Sequence, residues 1–320
     1  MRHVLKATGA TLAMLMAAAC VQTTAPAGSG PDAASLADTL PDMPGTGPFP
    51  AIKEVVSGLP DHVLYRPAQL DGLGQTRLGV LLWGNGGCRA DGASARQHLL
   101  EIASHGYVAI APGSIRSGPG APPAPPAERP HAGDAFPPVE TTPEDMVAAL
   151  DWLLAENARP GSGWYQRIDP VAIAVAGHSC GGLQAIKLSA DPRIATTIVQ
   201  NSGVLNPGSG NPIRGLTVDK AELNNLHAPV LYVLGGQGDV AWPNGMDDYA
   251  RIDHVPVAAA DLDVGHGGTF DQPNGGRAAQ IVWRWLDWQL RGDQAAGTWF
   301  AGEDCQLCTS REWQYASKRL

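Results

Sequence analysis

"VAIAVAGHSCGGLQAIKLSA", residues 171–190, places an apolar run (171–176), a glycine-flanked turn and a helix-forming segment in direct succession. The turn, "GHSCG" (177–181), fits the pattern Gly-x-Ser-x-Gly. In a chain with 39 glycines the pattern alone means little, so its placement has to decide. Here it stands where a strand turns sharply into a helix. Such a turn holds the serine in a strained backbone geometry with its hydroxyl standing clear, and bulk on either side would clash. This reading makes Ser179 a candidate nucleophile.

Outward from this stretch the same alternation repeats. Runs of apolar and β-branched residues occur at 62–66 (HVLYR), 78–83 (LGVLLW), 107–111 (YVAIA), 196–201 (TTIVQN), 229–234 (PVLYVL) and 255–262 (VPVAAADL). Most are continuous, as expected of strands covered on both faces. Between them lie helical patterns. In 94–106, Leu99, Ile102 and Ala103 share a face ahead of Gly106. The segment 142–158 opens with Thr142 as cap, Pro143 in the first turn and two acids behind it. A third helix follows Ser179. A fourth, 276–292, turns Ile281, Trp285, Leu286 and Trp288 toward a core, and Trp283 on the same helix also reads as core. Strand and helix alternating over some two hundred residues predict a single α/β domain, a doubly wound, mostly parallel sheet with helices on both faces. The proline-rich segment 114–141 interrupts this order after a strand. It reads either as a border of the site or as a surface insertion.

A serine hydroxyl needs a base, and the base needs a carboxylate to fix its tautomer. Asp239 lies in the glycine-rich loop 235–245 after one strand, and His266 in "DVGHGGTF" (263–270) after the next. Asp247 and Asp248 read as solvated helix charges, and His254 as a surface histidine. His178 reads as lining the pocket or packing under it. The chain order Ser179, Asp239, His266 is that of α/β-hydrolases. With "GTGPFPA" (45–51), "WGNGG" (83–87), "IASHGYVAIAP" (102–112) and the two motifs above, the chain resembles the dienelactone-hydrolase-like, cutinase and polyester-hydrolase branch of that superfamily, over most of residues 45–292. The resemblance implies an α/β-hydrolase domain at 49–295. Dienelactone hydrolases carry a cysteine at the elbow, so the serine here argues for ester hydrolysis, while the histidine before it is common among cutinases.

Acyl transfer through serine passes through an oxyanion that two amides must hold. One is that of the residue after the nucleophile, Cys180. Counting back from "ASHG" along the resemblance puts the other at Cys88 or Gly87. Two amides aimed at one oxygen bring their Cα atoms within the range a disulfide tolerates. The expectation is therefore a Cys88–Cys180 bridge clamping the oxyanion hole, against the alternative of two small buried thiols. Cys305 and Cys308, as "CQLC", read as a local structural disulfide rather than as a redox motif or half a zinc site.

At the start, 1–20 reads as a secretory signal, and Cys20 after "AAA" resembles the lipidated cysteine of bacterial lipoproteins, with ordinary cleavage nearby as the alternative. Residues 21–48, rich in Pro, Ala and Gly, read as a disordered tether of about 30 Å reach. Residues 296–320 read as a C-terminal tail. A net charge of −9 without basic clusters excludes nucleic acid as a primary partner. The expected function is an exported or lipid-anchored, periplasmic or outer-membrane serine esterase, acting on small or polymeric esters without metal or organic cofactor. An acyltransferase or peptidase on the same fold is the nearest alternative, and a non-catalytic binding lipoprotein is the alternative of another class. Trp83, His178 and Trp242 are the candidate pocket-lining residues.

Overall fold

The computed structural model of the chain describes residues 39–123 and 137–320. The expected secretory segment, Cys20, residues 21–38 of the tether and residues 124–136 of the proline-rich segment lie outside the described residues. The strands β1 (Ala51–Val56), β2 (Leu59–Pro67), β3 (Leu78–Gly84), β4 (Tyr107–Pro112), β5 (Ile168–His178), β6 (Thr196–Gln200), β7 (Val230–Leu234), β8 (Val257–Asp261) and β9 (Gln314–Lys318) form one sheet in the order β1-β2-β4-β3-β5-β6-β7-β8-β9. From β4 to β8 every pairing is parallel. The antiparallel pairings are those of β1 with β2, β2 with β4 and β8 with β9, so the sheet is mixed only toward its edges.

The helices are α1 (Arg96–Ser104), α2 (Pro143–Ala158), α3 (Cys180–Leu188), α4 (Trp242–Arg251), α5 (Gly276–Arg291) and the short α6 (Gln294–Gly297). On one face, α1 and α5 pack against Val63, Leu81, Trp83, Ala174, Leu231 and Ala258. On the other, α2 covers Leu82, Val108 and Val175, and α3 with α4 covers Val199, Tyr232 and Ala259. Alternate residues of each central strand thus enter opposite cores. That is why β3, β4, β6, β7 and β8 are buried at every position and read as continuous apolar runs. Helix α2 begins as expected: Pro143 follows Thr142, whose backbone N–H donates to Asp145 Oδ2 at 2.8 Å. In α5, Trp285 is fully buried, while Trp283 and Trp288 are half-buried.

Both expected domain boundaries move outward. Residues 40–48, expected to belong to the tether, lie on α1. Arg96 donates to Leu40 O (2.9 Å), Gln97 to Pro41 O (2.7 Å), and Thr46 N–H to Glu101 (2.8 Å). The reason is electrostatic: Arg96 and Glu101 are buried, and the segment supplies the partners their charges require. Residues 296–320, expected as a tail, carry Phe300, Leu307 and Trp313 into the α1–α5 core and close the sheet with β9. Neither β1 nor β9 announces itself by an apolar run, because both are edge strands with partly exposed side chains.

Candidate active site

Ser179 stands between β5 and α3 with φ 53° and ψ −119°, the strained turn that the glycines around it predict. Its backbone is fixed from both sides, its N–H donating to Gln200 O (3.0 Å) and its carbonyl accepting from Ser202 Oγ (2.6 Å). The helix starts hard against the sheet. A Cβ on Gly177 would stand 2.2 Å, and one on Gly84 2.5 Å, from Gly181 O, so no larger residue fits either position.

Three loops at the carboxyl ends of parallel strands converge here. His266, on the loop after β8, brings Nε2 to 2.9 Å from Ser179 Oγ. Its Nδ1 lies 2.6 Å from Oδ1 of Asp239, on the loop after β7. Asp239 is buried, which pushes its carboxyl upward. The hydrogen bonds from His266, Ala241 N–H and Asn201 outweigh that and hold it below the usual carboxylate value. An ionised Asp239 places the imidazole proton on Nδ1 and leaves the Nε2 lone pair facing the serine hydroxyl. A hydroxyl, an imidazole and a carboxylate in this order can move a proton from Ser179 to His266 while Asp239 stays charged.

The strand β3 ends in the turn Gly86–Cys88, and Cys88 and Cys180 form a disulfide with Cα atoms 5.3 Å apart. Cys305 and Cys308 are also bonded, far from Ser179 in sequence. The N–H of Cys180, first in α3, has no hydrogen-bond partner among the described residues, nor has that of Gly87. Cys88 differs from expectation: its N–H donates to Asn85 O at 3.0 Å, closing the turn, so of the two residues expected to supply the second amide only Gly87 has one to offer. The described ends of the proline-rich segment clasp this turn, with Glu140 and Thr141 N–H on Cys88 O (2.9 and 3.0 Å) and Arg116 paired to Glu140 (3.0 Å). These described ends thus lie beside the turn after β3, while the middle of the segment lies outside the described residues.

His178 packs under the site. Its Nε2–H donates to His266 O (2.8 Å), and its ring lies against Phe270. Burial brings its pKa down to about 4, so it is neutral and supports the His266 loop. Trp83 corrects an expectation, being wholly buried in the α1–α5 core against His98 and Phe270 and lining no opening. Its position faces the helix layer because the strand alternates and its neighbours Leu82 and Gly84 face the other way. Trp242 turns its indole N–H to Asp261 (2.7 Å) and packs against the α3–α4 core. Asp248, expected in solvent, is buried, paired with Lys220 (2.6 Å) and bonded to Val204 N–H, and burial lifts its carboxyl to about 6. Asp247, with Arg251, and His254 are at the surface as expected. Asn201 and Ser202 escaped the sequence reading, their one signal being polar residues at the end of an apolar strand.

Compared with protein-family models the chain matches none, and a search of curated proteins finds no similar one.

Proposed function

We propose that this chain is a serine hydrolase of carboxylic esters on an α/β-hydrolase fold, working through an acyl-enzyme. The observation that carries this reading is the continuous relay Ser179 Oγ–His266 Nε2 (2.9 Å) and His266 Nδ1–Asp239 Oδ1 (2.6 Å), set beside two amides without partners among the described residues. In the first half-reaction Ser179 Oγ attacks the ester carbon as His266 Nε2 takes its proton, and the new oxyanion accepts from the Cys180 and Gly87 amides. His266 then protonates the departing alcohol. In the second half a water gives its proton to His266 and attacks the acyl carbon, and His266 passes that proton to Ser179 Oγ as the acyl–Oγ bond breaks, releasing the acid and restoring Ser179.

The Cys88–Cys180 bridge joins the two segments that carry those amides, so their spacing is held covalently before substrate arrives. Two disulfides also favour an oxidising, exported setting, in line with the secretory and lipoprotein-like start. No helix among the described residues is long and apolar enough to cross a membrane.

Nitrophenyl esters of graded acyl length test the reading. Ser179→Ala is expected to lower kcat/KM by about 10⁴-fold or more with the fold retained. Hydrolysis persisting in folded Ser179→Ala protein at the wild-type rate would remove Ser179 as the nucleophile.

A further inference from the structure

We infer that Asn201 is a positioning residue of this site, one side-chain amide holding the acid and the histidine-bearing loop in a single register; the inference rests on the hydrolase reading above. Asn201 Nδ2 donates to Asp239 Oδ2 at 3.0 Å and to Gly265 O, the carbonyl just before His266, also at 3.0 Å. An amide nitrogen has two hydrogens, and each is used on one of the two loops. Both partners are pure acceptors, so the nitrogen, not the oxygen, must face them.

The arrangement leaves Asp239 no freedom. Its Oδ1 accepts from His266 Nδ1 and Ala241 N–H (2.9 Å), while Asn201 is the hydrogen-bond partner of Oδ2. Remove that donor and the carboxylate can turn about its Cβ–Cγ bond, and the His266 loop loses its tie at Gly265. His178 holds the next carbonyl, that of His266, so two side chains anchor consecutive peptide units of the loop.

The fold makes room for this contact. Asn201 follows β6 with φ 44°, a left-handed backbone that asparagine tolerates better than most residues, and its N–H is tied to Val233 O (2.8 Å). A Cβ on Gly235 would stand 2.4 Å from Asn201 Nδ2 and 2.2 Å from Gly265 O, and one on Gly268 2.9 Å from Asn201 Oδ1. The loops carrying the acid and the histidine thus each present a glycine to the same amide.

Two variants test it. Asn201→Gly suits the left-handed backbone and deletes the amide, and Asn201→Asp keeps the shape but offers no donor. Both are expected to remain folded by circular dichroism and to lose about 10- to 100-fold in kcat with KM nearly unchanged. The acidic limb of the kcat/KM profile is expected to move to higher pH, by about half a unit or more, and further for Asn201→Asp. Without that donor, the Asp239 charge is shared only by the imidazole and the Ala241 N–H, and holds the imidazole proton to higher pH. Other ionisable groups around the site, His178 with its ring 5.2 Å from that of His266, Asp261 and Asp263 beside Gly236, and Arg89 near His178, are the same in every variant. A wild-type rate, or a rate loss with the limb unmoved, would overturn the inference. Absence of Ser179-dependent turnover in the wild type would overturn the hydrolase reading, and the positioning role with it.

Discussion

His98 and His178 are two histidines that the fold keeps neutral. Burial brings them down to about 3 and about 4 from an ordinary 6.5. Above pH 6.5 both are neutral whether the chain is folded or not, and they add no pH dependence. As pH falls from 6.5 toward 4, the unfolded imidazoles take protons that the folded ones refuse, and stability is lost. Asp248, lifted to about 6, works the other way between pH 6 and its unfolded value of 3.8, since the folded chain protonates first. Urea unfolding at pH 7 and pH 4.5 checks the sign for His178. His178→Gln is expected to lose about 1–2 kcal/mol less than wild type over that interval, and an equal loss would contradict a buried neutral imidazole. At this scale the sequence was readable where chemistry and backbone coincide. Ser179, Asp239 and His266 each sit among glycines at the end of an apolar run. Asn201 and Ser202 do not, and nothing in a lone "NS" after a strand distinguishes a site residue from a turn. Asp248 misled because it shares an acidic pair with Asp247: both pair with Lys220, and only the helix's orientation decides which of the two is buried.

The elements that matter most are the turn after β3 and the start of α3, joined by Cys88–Cys180. This bridge spans 92 residues of sequence and ties the segments that follow two neighbouring parallel strands, β3 and β5. Closing so long a loop constrains the unfolded chain, and the double substitution Cys88→Ser with Cys180→Ser is expected to cost about 4 kcal/mol in unfolding free energy. If the bridge also holds the two amides at one oxygen, kcat falls more than KM rises when hydrolysis is measured on the folded fraction. Loss of stability with kcat intact would reduce the bridge to a structural clasp. The pairing was inferable because the proposed chemistry itself requires the two backbones to approach. Which of Cys88 and Gly87 keeps its amide free was not, since it depends on how the turn closes its own hydrogen bond at Asn85. The longer helices were legible from caps, periodicity and placement, α2 from Thr142, Pro143 and the two acids behind them, whereas the short α6 was not. Edge strands β1 and β9 were not, because half-exposed residues leave no apolar run to read.

At the scale of the molecule, the doubly wound sheet acts as a frame that brings residues 179, 239 and 266 together at the carboxyl ends of β5, β7 and β8. Parallel strands force this, since every chain returning through a helix must re-enter at the same end and so every loop that follows a strand lies on one rim. The outer boundaries were the part hardest to read. Composition marked 40–48 as tether and 296–320 as tail, yet one neutralises charges on α1 and the other supplies Phe300, Leu307, Trp313 and β9. Such segments gain their structure from distant partners, which no local pattern announces. The central claim is that Ser179 is activated by the relay, and intact mass after exposure to a fluorophosphonate probe tests it most directly. The account predicts one adduct on the wild-type protein and none on Ser179→Ala. No adduct on folded wild-type protein, or an adduct that survives Ser179→Ala, would contradict it.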